Sequence, residues 1–290
     1  MILERHSPCK VNLILNILGR RSDGFHELET VMMPVPLTDR LEFKRRSSGV
    51  GLTCDHPELP VDRGNLVFRA AEQFLAAARI VDGVEVRLEK RLPLAAGLGG
   101  GSANAAVTLL ALNELFGGPL GSGELTALAA GLGSDVPFFL QQGPALGTGR
   151  GEQVRSLPPF QAWRGRGLIL VHPGFGVPTA WAYQTLAGYP AALSGAPGRA
   201  AAWVELMEAG QGDAACRGLY NSLEAPVLPK YPLLRLFQDF FREQGALGVL
   251  MSGSGSTTFA ITRDVGSAES IRDQFVGRFG TSCWTATAVL

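Results

Sequence analysis

The chain has 290 residues, of which 46% are hydrophobic and 18% charged, and it carries 37 glycines and 18 prolines. That apolar fraction excludes a disordered chain and can fill one large core or two modest ones. Lys+Arg and Asp+Glu both number 26, so bulk charge gives no reason to expect a nucleic-acid partner, although a local basic patch stays open.

In chain order, Met1 to Pro8 lacks the basic-then-apolar pattern of a signal peptide, and no later run approaches the ~18 apolar residues of a membrane span. Val11, Leu13, Leu15 and Ile17 alternate with Lys10, Asn12 and Asn16. This predicts a half-buried strand with Lys10 and Asn12 on one face, about 7 Å apart. A loop at Asp23-Gly24 leads to Phe25-His26 and a second apolar stretch around Val31 to Met33, and Ser47 to Gly51 reads as another loop. Helical spacing from Leu66 to Arg79 follows Asn65, a suitable N-cap. Alternation from Val84 to Glu89 predicts a strand. After a glycine-rich segment, Ala105 to Phe116 is apolar on most sides and stops at Gly117-Gly118, as a buried helix does. A shorter helix is expected from Glu124 to Ala130, ended by Gly131.

Leu157-Pro158-Pro159 marks a candidate domain boundary, dividing the chain into 1–158 and 159–290. Beyond it, a strand is expected from Gly167 to Val171, with helices from Thr179 to Leu186, Ala200 to Ala209 and Asp213 to Tyr220. A further helix from Pro232 to Gln244 aligns Leu233, Leu236, Phe237, Phe240 and Phe241, and Gly245 is its stop. Ser194 to Gly198 is a loop, and strands flank a second glycine turn, Met251 to Ser256. There is no internal repeat. Cys9, Cys54, Cys216 and Cys283 form no CxxC pair and read as reduced thiols of a cytoplasmic protein.

The strongest local signal is Pro93-Leu94-Ala95-Ala96-Gly97-Leu98-Gly99-Gly100-Gly101-Ser102-Ala103. Glycines let a backbone approach an anion, and the helix that follows offers unpaired N–H groups and a positive dipole end. Ser102 could add a hydroxyl to a phosphate or its magnesium; a plain strand-to-helix turn is the alternative. A Walker A loop is excluded, because Gly101 rather than Lys precedes Ser102. A dinucleotide fingerprint lacks its acidic strand end, since Glu124 lies in a helical pattern, and the HRD and DFG signatures of protein kinases are absent. Taken alone, Lys10 reads as a strand-end lysine reaching solvent. Asp135 reads as the cap of a short helix opened by Pro137. Phe25 and His26 read either as loop packing or as contacts to a base. The four histidines lack metal-ligand spacing.

The Pro93 to Ala103 loop resembles the ATP loop of the GHMP kinases, and four further ordered segments extend the resemblance: Pro8 to Leu13, Gly19 to Leu28, Gly133 to Phe138 and Met251 to Gly255. Within that superfamily they are most similar to the branch whose acceptor is a cytidine diphosphate-linked methylerythritol. The resemblance implies a two-domain α+β GHMP kinase fold, with an N-terminal ribosomal-protein-S5-like α/β sandwich and a C-terminal ferredoxin-like domain. It implies ATP and Mg2+ as cofactors and Pro93 to Ala103 as the ATP loop. Lys10 and Asp135 become the catalytic pair, with Asp135 taking the acceptor hydroxyl proton and Lys10 neutralising charge on the transferring phosphoryl. Asn12, Phe25, His26 and Tyr183 become the acceptor pocket. Two departures stand out: Cys9 where Ala is usual, and Phe25 where Tyr is usual, the latter losing a hydroxyl but keeping the stacking face. No carboxylate ligand of magnesium is fixed by the resemblance, so Ser102 is the one candidate contact. No nucleic-acid or membrane partner is implied, and a monomer or weak homodimer is expected.

Overall fold

The computed structural model describes residues 2–290. Two long strands, β1 (Ile2–Arg20) and β2 (His26–Arg46), pair antiparallel around the turn carrying Asp23 and Gly24. Register shifts at Pro8/Cys9, Asn12/Ile14 and Ile17/Gly19 bend β1, as bulges do. There follow β3 (Val50–Cys54), α1 (Leu66–Ala77), β4 (Gly83–Glu89), α2 (Gly100–Leu115) and α3 (Ser122–Leu132). A 3-10 turn at Pro137–Leu140 precedes the hairpin β5 (Ala145–Thr148) and β6 (Gln153–Ser156). The remainder comprises β7 (Gly167–His172), α4 (Thr179–Thr185), α5 (Pro190–Leu193), α6 (Arg199–Glu208), α7 (Gly212–Arg217) and β8 (Tyr220–Asn221). After these come α8 (Glu224–Lys230), α9 (Pro232–Glu243), β9 (Gly248–Met251), β10 (Thr258–Thr262), α10 (Val265–Phe279) and β11 (Trp284–Val289).

The first sheet runs β3-β4-β2-β1-β8, with β5 on β2 and β6 on β5. The second runs β11-β7-β10-β9 and is antiparallel throughout. One core lies between the first sheet and α1, α2 and α3, built on Phe43, Phe74, Val86, Leu109 and Leu112. Each such fully buried Leu or Phe contributes about 1.5–3 kcal/mol. A second core joins Val11, Leu13 and Ile14 of β1 to Leu168, Leu170, Phe259 and Ile261 of the second sheet. The opposite face of that sheet, Ile169, Val171 and Ala260, packs on Phe237, Phe241, Ile271 and Phe275 of α9 and α10. This mixed arrangement of helices and two sheets is α+β, the class expected from the sequence. Among the described residues no helix is long and apolar enough to cross a membrane.

Several expectations are corrected. The Lys10 strand is buried on both faces, because α2 covers one and the second sheet the other: Lys10, Asn12 and Asn16 are as inaccessible as Val11 and Leu13. The helix expected to reach Tyr220 stops at Arg217, and Tyr220 instead pairs with Ile14 in β8. Leu233 and Leu236 are exposed; the buried side of α9 is Leu234, Phe237, Gln238, Phe240 and Phe241. Helix α3 runs through Gly131 to Leu132. Asn65 caps α1 as expected, its side chain accepting from the Val67 amide at 2.9 Å.

Candidate active site

A cavity of about 1190 Å³ opens between the glycine loop, the β1–β2 turn and α4. Lys10 and Asn12 reach it from β1, Phe25 and His26 from the start of β2, Asp135 from the loop after α3, and Tyr183 from α4. Pro93 to Ser102 form another wall. Of the eleven loop residues read from sequence, Ala103 alone turns away, fully buried in the first core.

The glycine loop is held by backbone contacts that need glycine. Gly97 has φ +74, and a Cβ there would lie 2.1 Å from the Ser252 carbonyl oxygen, so no side chain fits. Gly99, at φ +69, forms the start of α2, and a Cβ on it would press on Lys10 Cε and the Phe139 ring at 3.1 Å. The Leu98 carbonyl accepts from the Lys10 amide at 2.9 Å, which ties the loop to β1. The second glycine turn completes the clasp. Ser252 Oγ donates to the Gly97 carbonyl at 2.9 Å, the Thr257 amide donates to Ala96 at 3.1 Å, and Asn221 donates to the Met251 and Gly253 carbonyls at 2.8 Å. The free N–H groups at the start of α2 therefore face the cavity from a fixed frame, an arrangement suited to phosphate.

Lys10 is 3% exposed, so it is no solvent-reaching strand end. Its Nζ donates to Asn12 Oδ1 and lies 3.4 Å from Asp135 Oδ2. Asn12 in turn donates to Thr30 Oγ1 at 2.9 Å, and Thr30 to the Ile14 carbonyl at 2.6 Å. A buried cation needs such partners. The 3-10 turn after Asp135 receives no side-chain cap, so the carboxylate is not spent on capping; it is 40% exposed toward the cavity.

At the far end, the His26 and Tyr183 rings lie 5.1 Å apart, tilted by 41°. Burial, and secondarily the charge of Arg20, holds the His26 imidazole below its ordinary range. Burial and then the neighbouring Asp135 charge push the Tyr183 phenol up, so both rings are neutral near pH 7. Phe25 is half exposed.

Sequence reasoning missed a buried cluster beneath the loop. Asp39 pairs with Lys90, both almost inaccessible, and accepts from the Arg91 and Leu92 amides at 2.8 and 2.9 Å and from Asn104 Nδ2 at 3.0 Å. This fixes the chain immediately before Pro93. Its one sequence signal is a lysine directly ahead of the loop, and the Asp39 end of the pair is visible only in three dimensions. Arg20, Arg150 and Thr179 also line the cavity and were not singled out as site residues, and Asn65, read only as a helix cap, joins them.

The GHMP kinases N terminal domain matches residues 65–143 and the GHMP kinases C terminal domain matches residues 200–281. The chain belongs to the GHMP kinases. A 4-diphosphocytidyl-2-C-methyl-D-erythritol kinase from Synechococcus sp. (strain JA-3-3Ab) is 44% identical over 93% of this chain and 88% of its own. One from Pelotomaculum thermopropionicum is 42% identical over 95% and 94%. A crystal structure of 4-(cytidine 5'-diphospho)-2C-methyl-D-erythritol kinase superposes with a TM-score of 0.78 at 35% identity, covering 99% of this chain and 100% of that one. Within the GHMP kinases, the chain is a member of the 4-diphosphocytidyl-2-C-methyl-D-erythritol kinase family.

Proposed function

We propose that the chain transfers the γ-phosphoryl of ATP to the 2-hydroxyl of 4-diphosphocytidyl-2-C-methyl-D-erythritol, a step of the non-mevalonate route to isoprenoids. One observation carries the reading: the Lys10–Asp135 pair, 3.4 Å apart, lies on a cavity with the glycine loop on one wall and Phe25, His26 and Tyr183 on another. The amides at the start of α2 and the loop backbone hold the nucleotide phosphates. Asn12, Phe25, His26 and Tyr183 hold the acceptor. Asp135 accepts the proton of the attacking hydroxyl and Lys10 Nζ offsets charge on the transferring phosphoryl, positioning and electrostatics being the main sources of rate in this chemistry.

Magnesium fits as an ion carried in by the nucleotide. Among the described residues no three His, Cys, Asp or Glu side chains converge, but the Ser102 hydroxyl lies in the first turn of α2 on the cavity wall. Ser102 would hold Mg2+, which when bound supplies neutralisation of phosphate charge. We further assign the boundary between the two units to 158/159, the location to the cytoplasm, and the assembly to a monomer or weak homodimer.

The test is coupled ADP release with Mg-ATP against a panel of the cytidylyl methylerythritol, homoserine and mevalonate. The reading requires turnover with the cytidylyl compound alone. Release with homoserine or mevalonate and not with it would move the chain to another acceptor class.

A further inference from the structure

Arg150 has no part in the machinery assigned above, yet it lines the same cavity as Phe25, Arg20 and Tyr183. It sits at the tip of the β5–β6 hairpin between Gly149 (φ +70) and Gly151 (φ +102), whose left-handed backbone turns the chain in so short a loop. The tip is fixed from two sides. The Leu28 amide donates to the Gly149 carbonyl at 2.8 Å, two residues beyond His26. The Arg150 amide donates to Glu152 Oε2 at 2.7 Å, and its guanidinium Nε lies 3.8 Å from Glu152 Oε1. From this mount Arg150 Cζ lies over the Phe25 ring, 4.6 Å from its centroid.

Phe25 needs that contact. Its ring is 51% exposed and has no hydroxyl to anchor it, while its backbone amide is held by Asp23 Oδ1 at 3.1 Å. The backbone is thus set by the turn, and the Arg150 guanidinium is the charged group laid on the ring. We propose that Arg150 is a specificity-determining residue for the nucleotidyl acceptor, acting through Phe25: its planar guanidinium holds the ring as an aromatic wall for a pyrimidine base. The assignment rests on the acceptor proposed above. It also accounts for the missing Tyr hydroxyl, since orientation that a hydroxyl could fix by hydrogen bonding is here imposed by a stacked cation.

The experiment compares Arg150→Met, Arg150→Lys, Phe25→Leu and the Arg150→Met/Phe25→Leu double variant. It reads KM for the cytidylyl acceptor, KM for ATP, kcat, and the inhibition constant of CDP as a probe of the base pocket. An exposed cation–π contact corresponds to roughly two- to fivefold. Arg150→Met is expected to raise the acceptor KM and the CDP constant by that factor, with smaller changes in ATP KM and kcat. Arg150→Lys should follow Arg150→Met, because an ammonium cannot stack as a plane. In the Phe25→Leu background, removing Arg150 should add nothing further. An unchanged acceptor KM in Arg150→Met overturns the proposal, as does an equal rise in ATP KM. Persistence of the full effect without Phe25 overturns it too, since the guanidinium would then touch the acceptor directly. Wild-type enzyme inactive on the cytidylyl acceptor, read in the same assay, would overturn the acceptor assignment itself and this proposal with it.

Discussion

Lys10 is a cation shut away from water, and its anionic partner comes from a loop 125 positions further along the chain. Asp135→Asn leaves the shape of the site but removes the charge facing Lys10 and the proton acceptor proposed above. Its turnover should fall by about 10²- to 10⁴-fold while nucleotide affinity, measured separately by equilibrium binding, changes little. His26 gives a pH signature. Its imidazole is held below the ordinary value of about 6.5, by burial first and Arg20 second, so the neutral ring is the working form above that range. The acceptor KM should be flat from pH 8 down to about 6.5 and rise below it, as protonation removes a ring acceptor. The ATP KM should lack this inflection, and His26→Gln should abolish it. In linkage terms a depressed imidazole adds stability present above its unfolded value and lost as pH falls through the folded one. Lys10 and Asp135 could be found in the sequence by motif. Their isolated readings, solvent-reaching lysine and helix cap, fail because burial and capping are settled by α2 and by the turn at Val136, which no single residue reveals.

At the scale of elements, the two glycine turns work as one unit. Ser252 bridges them, donating to Gly97 and accepting from the Asn12 amide at 3.4 Å. Ser252→Ala removes both links and leaves buried groups unpaired, a loss of about 1–3 kcal/mol. The measurable result is a raised KM for ATP together with a lower thermal midpoint, whereas Asn65→Ala, which deletes the α1 cap and the Nδ2 bond to the Pro60 carbonyl, should cost at least about 1 kcal/mol of stability. Alternation and glycine stops made most of the helices and β4 legible. Helix α10 was not read, because Val265 to Phe279 interleaves Ala268, Ile271 and Phe275 with charged residues and two glycines, Gly266 and Gly277. On α9, Phe237, Phe240 and Phe241 face inward as read, but Leu234 rather than Leu233 is buried, because Leu233 and Leu234 fit the helical period almost equally and only packing with Val227, Leu228 and Met251 decides between them. In β1, alternation gave the correct strand and the wrong burial, because periodicity cannot see a second sheet.

For the whole molecule, the second core spans both sheets: Cys9, Val11 and Leu13 pack with Leu168, Trp203 and Phe259. Neither half closes its hydrophobic surface alone, so calorimetry should show a single unfolding transition in which calorimetric and van't Hoff enthalpies agree. Two separate transitions would mean that the shared core contributes little. Cys9 lies inside this core, and burial pushes its thiol up to about 12, so it should resist alkylation until the molecule unfolds. The balanced charge read at the outset now has a structural counterpart. In the proposed reading, polyanions are met by backbone amides, one helix terminus and a few cations lining one cavity, with no requirement for a basic surface.

The two-residue strand β8 has a consequence for how the protein is made. Ile14 and Leu15 leave the ribosome early, yet their parallel partners Tyr220 and Asn221 emerge about two hundred residues later. Until then the Ile14–Leu15 stretch of the β1 edge is open beside apolar side chains, a state prone to mispairing between nascent chains. Completion of the same short strand also delivers Asn221 to the Met251 and Gly253 carbonyls. Protection of the growing chain and closure of the two glycine turns thus arrive together, late in synthesis.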